Sequence, residues 1–328
     1  MYEIIEYNNE YEKTWDDFVE NTSINGTFLQ ERRFLNYHPQ GRFQDASLMV
    51  FYKGKLEAVI PACKQQNAEK KIFNSHAGST YGGIVISRYL YKADKVLGLI
   101  NEVEQYISKQ KYTSILYKPT MNLLCNPKGD LLSYCLGYCG YKEYKELNIY
   151  VNYANYNPDI LSNLSKMKQR IIKKCEKTGV VVKEFDSKEE IKIFHDILTQ
   201  NLKKYNKTPV HTVEELIDLK KNRLTKEIRF LGAYLDGKMI AGTMIFEFHK
   251  YKCAHTQYLA ADPEYNKLSP MSYIYYKTAE FYYYCHFEKL SWGISTEDNG
   301  TKINMGLTTN KEEYGSEYNL VTIYEKEL

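Results

Sequence analysis

Apolar positions along this chain follow two rhythms, one of about 3.6 residues and one of about 2, and the same succession of the two occurs twice. Residues 16–34 read as an amphipathic helix interrupted at Asn25-Gly26. Residues 47–52 and 55–60 read as two strands joined by a tight turn at Lys53-Gly54, and Pro61, which has no N–H to give to a ladder, ends the second of them. A short strand follows at 84–86. Residues 95–109 place Val96, Leu97, Leu99, Ile100, Val103, Tyr106 and Ile107 at helical spacing, and 114–117 return to a strand.

The second half repeats this order. A basic helix over 161–177, with Leu164, Met167, Ile171 and Ile172 at helical spacing, stops at Gly179, and 180–185 is a strand. Helices over 188–205 and 213–225 come next. Residues 228–235 and 238–246 form a second strand pair around Asp236-Gly237, among the strongest of hairpin signals. A strand over 252–260, a helix over 271–286 and a strand over 290–292 complete the set. Helix, hairpin, strand, helix, strand thus appear twice in 328 residues, with too little sequence likeness for a short tandem repeat. Duplication of one α/β unit explains this, giving domains over 1–151 and 152–328, each of ordinary domain size. The polar stretch 152–159, which contains Pro158, is the expected boundary.

Composition narrows the function classes. With 44 basic and 41 acidic side chains the net charge is +3, which gives no general electrostatic case for binding DNA. The 7 cysteines form no CxxC pair, and Cys135 and Cys139 lack a second pair or a nearby histidine, so reduced thiols and no metal are expected. Tyrosine is unusually abundant, at 32 residues, as expected of compositional bias with rings packed in the core and hydroxyls at its edge; a sugar-stacking surface is the alternative. The opening MYEIIEYNNEYEKTWDDF lacks the basic start and apolar run of a signal peptide, and no stretch approaches the ~20 apolar residues of a membrane span. A cytoplasmic protein without membrane insertion is expected.

At the second hairpin the phrase GKMIAGTMIFEF, followed by another strand and a helix, resembles the core of the Gcn5-related N-acyltransferase (GNAT) superfamily. The duplicated arrangement resembles its FemAB-like branch. Further phrases agree: Gly26-Thr27-Phe28-Leu29, Ser75-His76-Ala77-Gly78 with Thr80-Tyr81-Gly82-Gly83, and a tail running through Gly300, Asn304, Gly306, Lys311 and Gly315. The resemblance implies two tandem GNAT-like domains, each a mixed, mostly antiparallel sheet flanked by helices. It also implies acyl transfer from acetyl-CoA or another acyl-CoA to an amine. The donor's pantetheine arm is then expected along 252–260, at Gln257 and Leu259, with its diphosphate at the N-terminus of the next helix, near Lys267 and Ser269. At that point the chain departs from the family. Residues 263–270, PEYNKLSP, contain no glycine where a glycine-rich loop is usual. Ser269 is expected to cap the helix, with Pro270 in its first turn.

An amine acceptor must lose a proton as it attacks a carbonyl, so a group titrating near neutrality is needed within reach. His255, mid-strand in CAHTQY, is the candidate base, with a hydrogen-bonded core histidine as the alternative. Strict alternation puts His255 and Gln257 on one face, Thr256 and Tyr258 on the other. Glu297, in a loop beyond the last strand, is a second catalytic candidate, and Tyr258 has the leaving-group acid role that tyrosine plays in this superfamily. His76, Tyr81 and Gly82 are read as part of an acceptor cleft between the domains, with a structural turn as the alternative. Asn304 and Lys311 of the tail are further acceptor-binding candidates. The acceptor class is a small-molecule amine or a nucleotide sugar, such as an amino sugar of a surface polysaccharide.

Two other readings stay open. One is aminoacyl transfer from charged tRNA to a cell-wall peptide precursor, in which the basic run Lys166, Lys168, Arg170, Lys173, Lys174 and Lys177 would meet phosphates. Against it, 188–225 holds two ordinary helices and no long coiled-coil arm. The other is a non-catalytic binding module on the same fold.

Overall fold

The computed structural model describes residues 2–67, 69–75, 77–204 and 206–328. They form two compact units, one of residues 1–147, 296–302 and 320–328, the other of 148–295 and 303–319. The chain passes between units four times, three of them inside strands, and the polar stretch 152–159 lies within the second unit.

In the first unit β1 (Tyr2–Glu6), β2 (Leu48–Tyr52), β3 (Lys55–Ile60) and β6 (Val85–Ile86) make an antiparallel sheet in the order β1-β2-β3-β6. Strands β4 (Cys63–Gln66) and β5 (Lys71–Ser75) pair antiparallel, and β5 runs parallel to β7 (Ser114–Tyr117). Helix α1 (Ala93–Lys109) turns Val96, Leu99, Ile100, Val103 and Ile107 into a core that includes Leu48, Val50, Ala58, Ile60 and Ile115. Helix α2 (Asp130–Tyr138) adds Leu132 and Leu136 to it.

The second unit starts in β8 (Lys142–Asn152) and continues through α3 (Lys166–Lys177), β9 (Val181–Glu184), α4 (Lys188–Lys203), α5 (Val213–Asp218), β10 (Ile228–Leu235), β11 (Lys238–Phe248), β12 (Cys253–Ala261), α6 (Pro270–Tyr284), β13 (Lys289–Ile294) and α7 (Met305–Glu312). Its strands lie in the order β9-β10-β11-β12-β13-β8, all antiparallel except for the β12–β13 pair. Helices α3 and α6 cover one face, where Ile172, Cys175, Ile274, Ala279 and Tyr282 pack with Leu231, Ala233, Ile245 and Ala254. Helix α4 covers the other. Its Phe194 lies so close to the sheet that a Cβ on Gly242 would sit 2.6 Å from the ring, which is why glycine stands there. The last strand, β14 (Glu317–Glu327), returns the chain to the first unit and pairs with β7.

Duplication is visible in the hairpins. Lys53-Gly54 and Asp236-Gly237 both take positive φ at both turn residues, +53° and +76° in one, +50° and +81° in the other, as a two-residue type I′ turn requires. Each hairpin also carries one extra residue, Glu57 or Ile240, at the third position after its turn. Two GNAT-like α/β units in tandem are the architecture.

The sequence expectations differ from this in several places. The helix placed over 16–34 is broken into Glu12–Asp17, a wider turn Phe18–Thr22, a tight turn Phe28–Gln30 and Arg32–Leu35. A capping box between Thr27 and Gln30 restarts the chain there. Helix α3 starts at Lys166, not 161, because the Ser165 hydroxyl accepts the Lys168 N–H. The helix expected over 213–225 keeps α geometry only through Asp218. Of the helix expected over 188–205, Tyr205 lies outside the described residues. Strands β1, β4, β5, β8 and β14 and helices α2 and α7 are not among the expected elements.

Candidate functional site

The parallel ladder between β12 and β13 is short. It joins Cys253–His255 to Lys289–Ser291 and stops, although β12 runs on to Ala261 and β13 to Ile294. Each strand carries an irregularity just past that point. On β12 the register to β11 jumps between Thr256 and Tyr258, so Gln257 is the extra residue of a bulge. On β13 the register to β8 shifts between Ser291 and Gly293, and Gly293 has φ +81°. The sheet therefore splits immediately beyond His255 and Ser291.

His255 is buried at the closed end of the split, with Nδ1 3.0 Å from the Ser291 Oγ. Ser291 donates its hydroxyl to Oδ1 of Asn148 at 2.9 Å and accepts the Gly293 N–H at 3.2 Å. Three adjacent strands thus contribute one polar relay, His255–Ser291–Asn148, all of it buried.

The bulge corrects the expected facing of Tyr258. His255 pairs with Phe246 and Tyr258 with Met244, and directly paired residues share a face, as do positions two apart on β11. Tyr258 therefore shares the α4 face with His255, while Thr256, paired with Ile245, takes the other. The Tyr258 hydroxyl lies 2.5 Å from Nδ1 of buried His211, and burial pushes the phenol up to about 12.

Of the donor-side residues, Gln257 and Leu259 are half-buried along the split part of β12, and Lys267 is exposed at the end of the 3₁₀ turn Pro263–Leu268. Ser269 differs from expectation. It sits at the N-cap position of α6 with φ +53° and makes no side-chain cap bond. Its carbonyl takes the N–H groups of Ser272 and Tyr273, and Pro270 has none to give. Those bonds leave Met271 as the one N–H of the first turn that they do not use, so this helix end is poor in anion-binding donors.

Lys311 is buried on α7, where its ammonium donates to the carbonyls of Gly293 (2.9 Å) and Ile294 (2.8 Å) and to the Ser295 hydroxyl (3.0 Å). Loss of water pushes its pKa down to about 7. All three of its donor directions are thus spent on the end of β13 and the residue after it. Asn304 caps α7 by accepting the Leu307 N–H at 3.0 Å.

Glu297, Tyr81 and Gly82 belong to the first unit. Glu297 is exposed on a small hairpin with Lys302–Ile303. Tyr81 is buried, and Gly82 donates to the Lys118 carbonyl while its own carbonyl accepts Nε2 of Gln30. The glycine approach in this segment is made to Pro119, whose Cα would lie 2.8 Å from a Cβ on Gly83. His76 lies outside the described residues.

Within the basic helix α3, Lys168 turns inward to Asn310 (2.7 Å), Ser272 (3.3 Å) and Glu313 (3.3 Å). Lys166, Arg170, Lys173, Lys174 and Lys177 are exposed and have no ion-pair partner among the described residues. Among those residues no group of three or more His, Cys, Asp or Glu side chains has a metal-holding arrangement, and no helix is long and apolar enough to cross a membrane.

Sequence reasoning missed Ser291, Asn148 and His211. Ser291 and Asn148 did carry a signal, each being a small polar residue inside an otherwise apolar run, LSW and LNIYV.

A split parallel pair beside a bulged strand, in repeated α/β units, makes a fold of the tandem GNAT kind. Residues 162–298 match the family model described as acetyltransferase (GNAT) domain. No curated protein matches the chain. Among solved structures it is similar to FemX (TM-score 0.71, 11% identity, 99% of this chain and 97% of that one). It is also similar to L-PGS from Bacillus licheniformis (0.63, 10%, 97% and 91%). A third is a tandem GNAT protein from the clavulanic acid biosynthesis pathway (0.56, 9%, 100% and 98%). Residues 162–298 thus match a GNAT acetyltransferase domain, and the fold of the whole chain is similar to that of FemX.

Proposed function

We propose that this protein is an N-acyltransferase whose second unit receives an activated acyl group in the split between β12 and β13 and passes it to an amine. The observation that carries this reading is the placement of His255 where the two strands part. Beyond that point β12 has no ladder to β13, and its edge has backbone groups to offer an extended donor arm in the manner of an added strand. In the reaction the amine nitrogen attacks the acyl carbonyl carbon, His255 takes the N–H proton, the bond from carbon to the leaving sulfur or oxygen breaks, and Tyr258 protonates the leaving group. Both side chains face the α4 side of the sheet.

Acetyl-CoA or another acyl-CoA is the donor that the matched family description favours. The residues present fit its pantetheine arm, but the end of α6 does not fit its diphosphate, having one unused N–H and no glycine loop. That misfit favours a second reading, an aminoacyl ester on tRNA, whose phosphates the five exposed cations of α3 suit. For the acceptor we propose a small amine, such as an amino sugar bound for surface polysaccharide or, under the second reading, a peptidoglycan precursor or lipid headgroup. His76, Tyr81, Gly82 and Asn304 remain proposed contacts to the acceptor and Glu297 a proposed catalytic carboxylate; Lys311 is proposed to act through β13.

The test is direct. Protein is mixed with acetyl-CoA, longer acyl-CoA esters or charged tRNA, and the change in melting temperature and the transfer of labelled acyl group to an amine panel are measured. Stabilisation and transfer with one donor class name the donor. No shift and no transfer with either class would sink the enzymatic reading in favour of a binding module.

A further inference from the structure

We infer that Asn148 and Ser291 are positioning residues that set the tautomer of His255, putting its proton on Nδ1 and making Nε2 the basic nitrogen. Only the consequence for turnover rests on the acyl-transfer reading above.

The assignment follows from counting protons and lone pairs. A serine hydroxyl has one proton to donate and two lone pairs to accept with. At Ser291 one lone pair receives the Gly293 N–H at 3.2 Å. The Asn148 Oδ1, 2.9 Å away, has no proton to give, so the Ser291 proton points to it. What remains on Ser291 is a lone pair, and it faces Nδ1 of His255 at 3.0 Å. Nδ1 must therefore be the protonated ring nitrogen, and a neutral imidazole protonated there keeps its lone pair on Nε2. Ser291 is itself fully buried with its proton directed at Asn148, which excludes it as a nucleophile.

Two further features hold the arrangement. The Gly293 N–H reaches Ser291 because the chain turns at φ +81°, and Lys311 fixes that turn by bonding the carbonyls of Gly293 and Ile294. Asn148 is almost wholly buried, and its Nδ2 has no partner among the described residues. An orphan buried donor costs stability, so an apolar residue would suit the packing better. The amide oxygen is what an apolar residue cannot supply.

The experiment is long-range 1H–15N NMR on the whole chain labelled at histidine, without substrate, with the His255 signals identified by their loss in His255→Gln. Wild type is expected to show the Nδ1–H pattern. Asn148→Asp keeps an acceptor and should keep the pattern. Asn148→Leu frees the Ser291 proton to point at Nδ1 and should move His255 toward the Nε2–H form; Ser291→Ala should abolish the preference. An Nε2–H pattern in wild type, which corresponds to the reverse orientation of the Asn148 amide, overturns the inference, as does an unchanged pattern in folded Asn148→Leu. If Asn148→Leu does not fold, wild type and Ser291→Ala decide. Where transfer is measurable, Asn148→Leu should lower kcat by roughly a hundredfold, the scale of general-base catalysis, with KM retained. An Nδ1–H pattern without transfer from any donor upholds the tautomer and defeats the acyl-transfer reading instead.

Discussion

Tyr258 shares a sheet face with His255, three positions before it, because Gln257 is absorbed in a bulge. In a regular strand, residues three positions apart point to opposite faces. With it, a candidate base and a candidate acid are presented to the same side, next to the place where the sheet splits.

Replacing His255 by alanine is expected to lower turnover by roughly a hundredfold or more while the melting shift produced by the donor stays unchanged. Unchanged turnover would return His255 to the class of core histidines held by neighbours. A lost melting shift would instead make it part of the donor site.

Tyr258→Phe removes the bond to His211 and should cost about 1–3 kcal/mol in urea denaturation. Its kinetic effect should depend on the donor. A phenol held near 12 is matched to a strongly basic oxygen leaving group and is of little use to a thiolate, which departs without help. An enzyme that uses an oxygen ester should therefore lose far more turnover in Tyr258→Phe than one that uses a thioester. Equal rates for wild type and variant with every donor would remove Tyr258 from the mechanism.

The legible parts of the fold were those fixed by local chemistry. Asp236-Gly237 and Lys53-Gly54 announced hairpins whose turn residues have the positive φ those turns need. The helical spacing of Val96 through Ile107 described the buried face of α1. Strand β8 opens on Lys142-Glu143-Tyr144-Lys145-Glu146, a run too charged to read as a strand, and so Asn148 was not placed at all. His255 was legible as a polar residue inside an apolar strand. Its partners were not, since Ser291 lies 36 and Asn148 107 positions away, and only the pairing of β12, β13 and β8 brings them together. Tyr258 was assigned to the wrong face because alternation carries no record of a bulge. Lys311 looked like a ligand contact, but its burial and its three acceptors depend on the turn at Gly293, which no local pattern shows.

Gly300→Ala should be among the most damaging small changes in the first unit. A Cβ there would fall 1.9 Å from the Lys145 carbonyl oxygen, and φ is +84°, a region that alanine rarely enters. Backbone cannot move aside as a side-chain tip can, so a loss of roughly 2–4 kcal/mol is expected. Denaturation of Gly300→Ala beside Gly54→Ala, where positive φ occurs with nothing within 4 Å, separates the clash from the backbone strain. Equal losses would mean that the contact with Lys145 is relieved by a shift of the hairpin.

Lys311 makes stability depend on pH in a direction opposite to that of a paired lysine. In the unfolded chain its amine titrates near 10.5, and in the folded chain desolvation brings it to about 7. Between those values the unfolded state binds one more proton than the folded state, so raising the pH favours folding, by up to about 1.4 kcal/mol per unit. Below about 7 both states are protonated and the slope from this group vanishes. The three acceptors around the ammonium, the carbonyls of Gly293 and Ile294 and the Ser295 hydroxyl, oppose the desolvation and set how much of that slope is realised. Urea denaturation of wild type and Lys311→Met at steps from pH 6 to 9.5, below the range where tyrosines ionise, measures the difference. Wild type should gain on Lys311→Met as the pH rises through that window. Parallel curves would mean that the three acceptors fully restore the ordinary lysine pKa, leaving Lys311 a permanently charged clamp on the strand that carries Ser291.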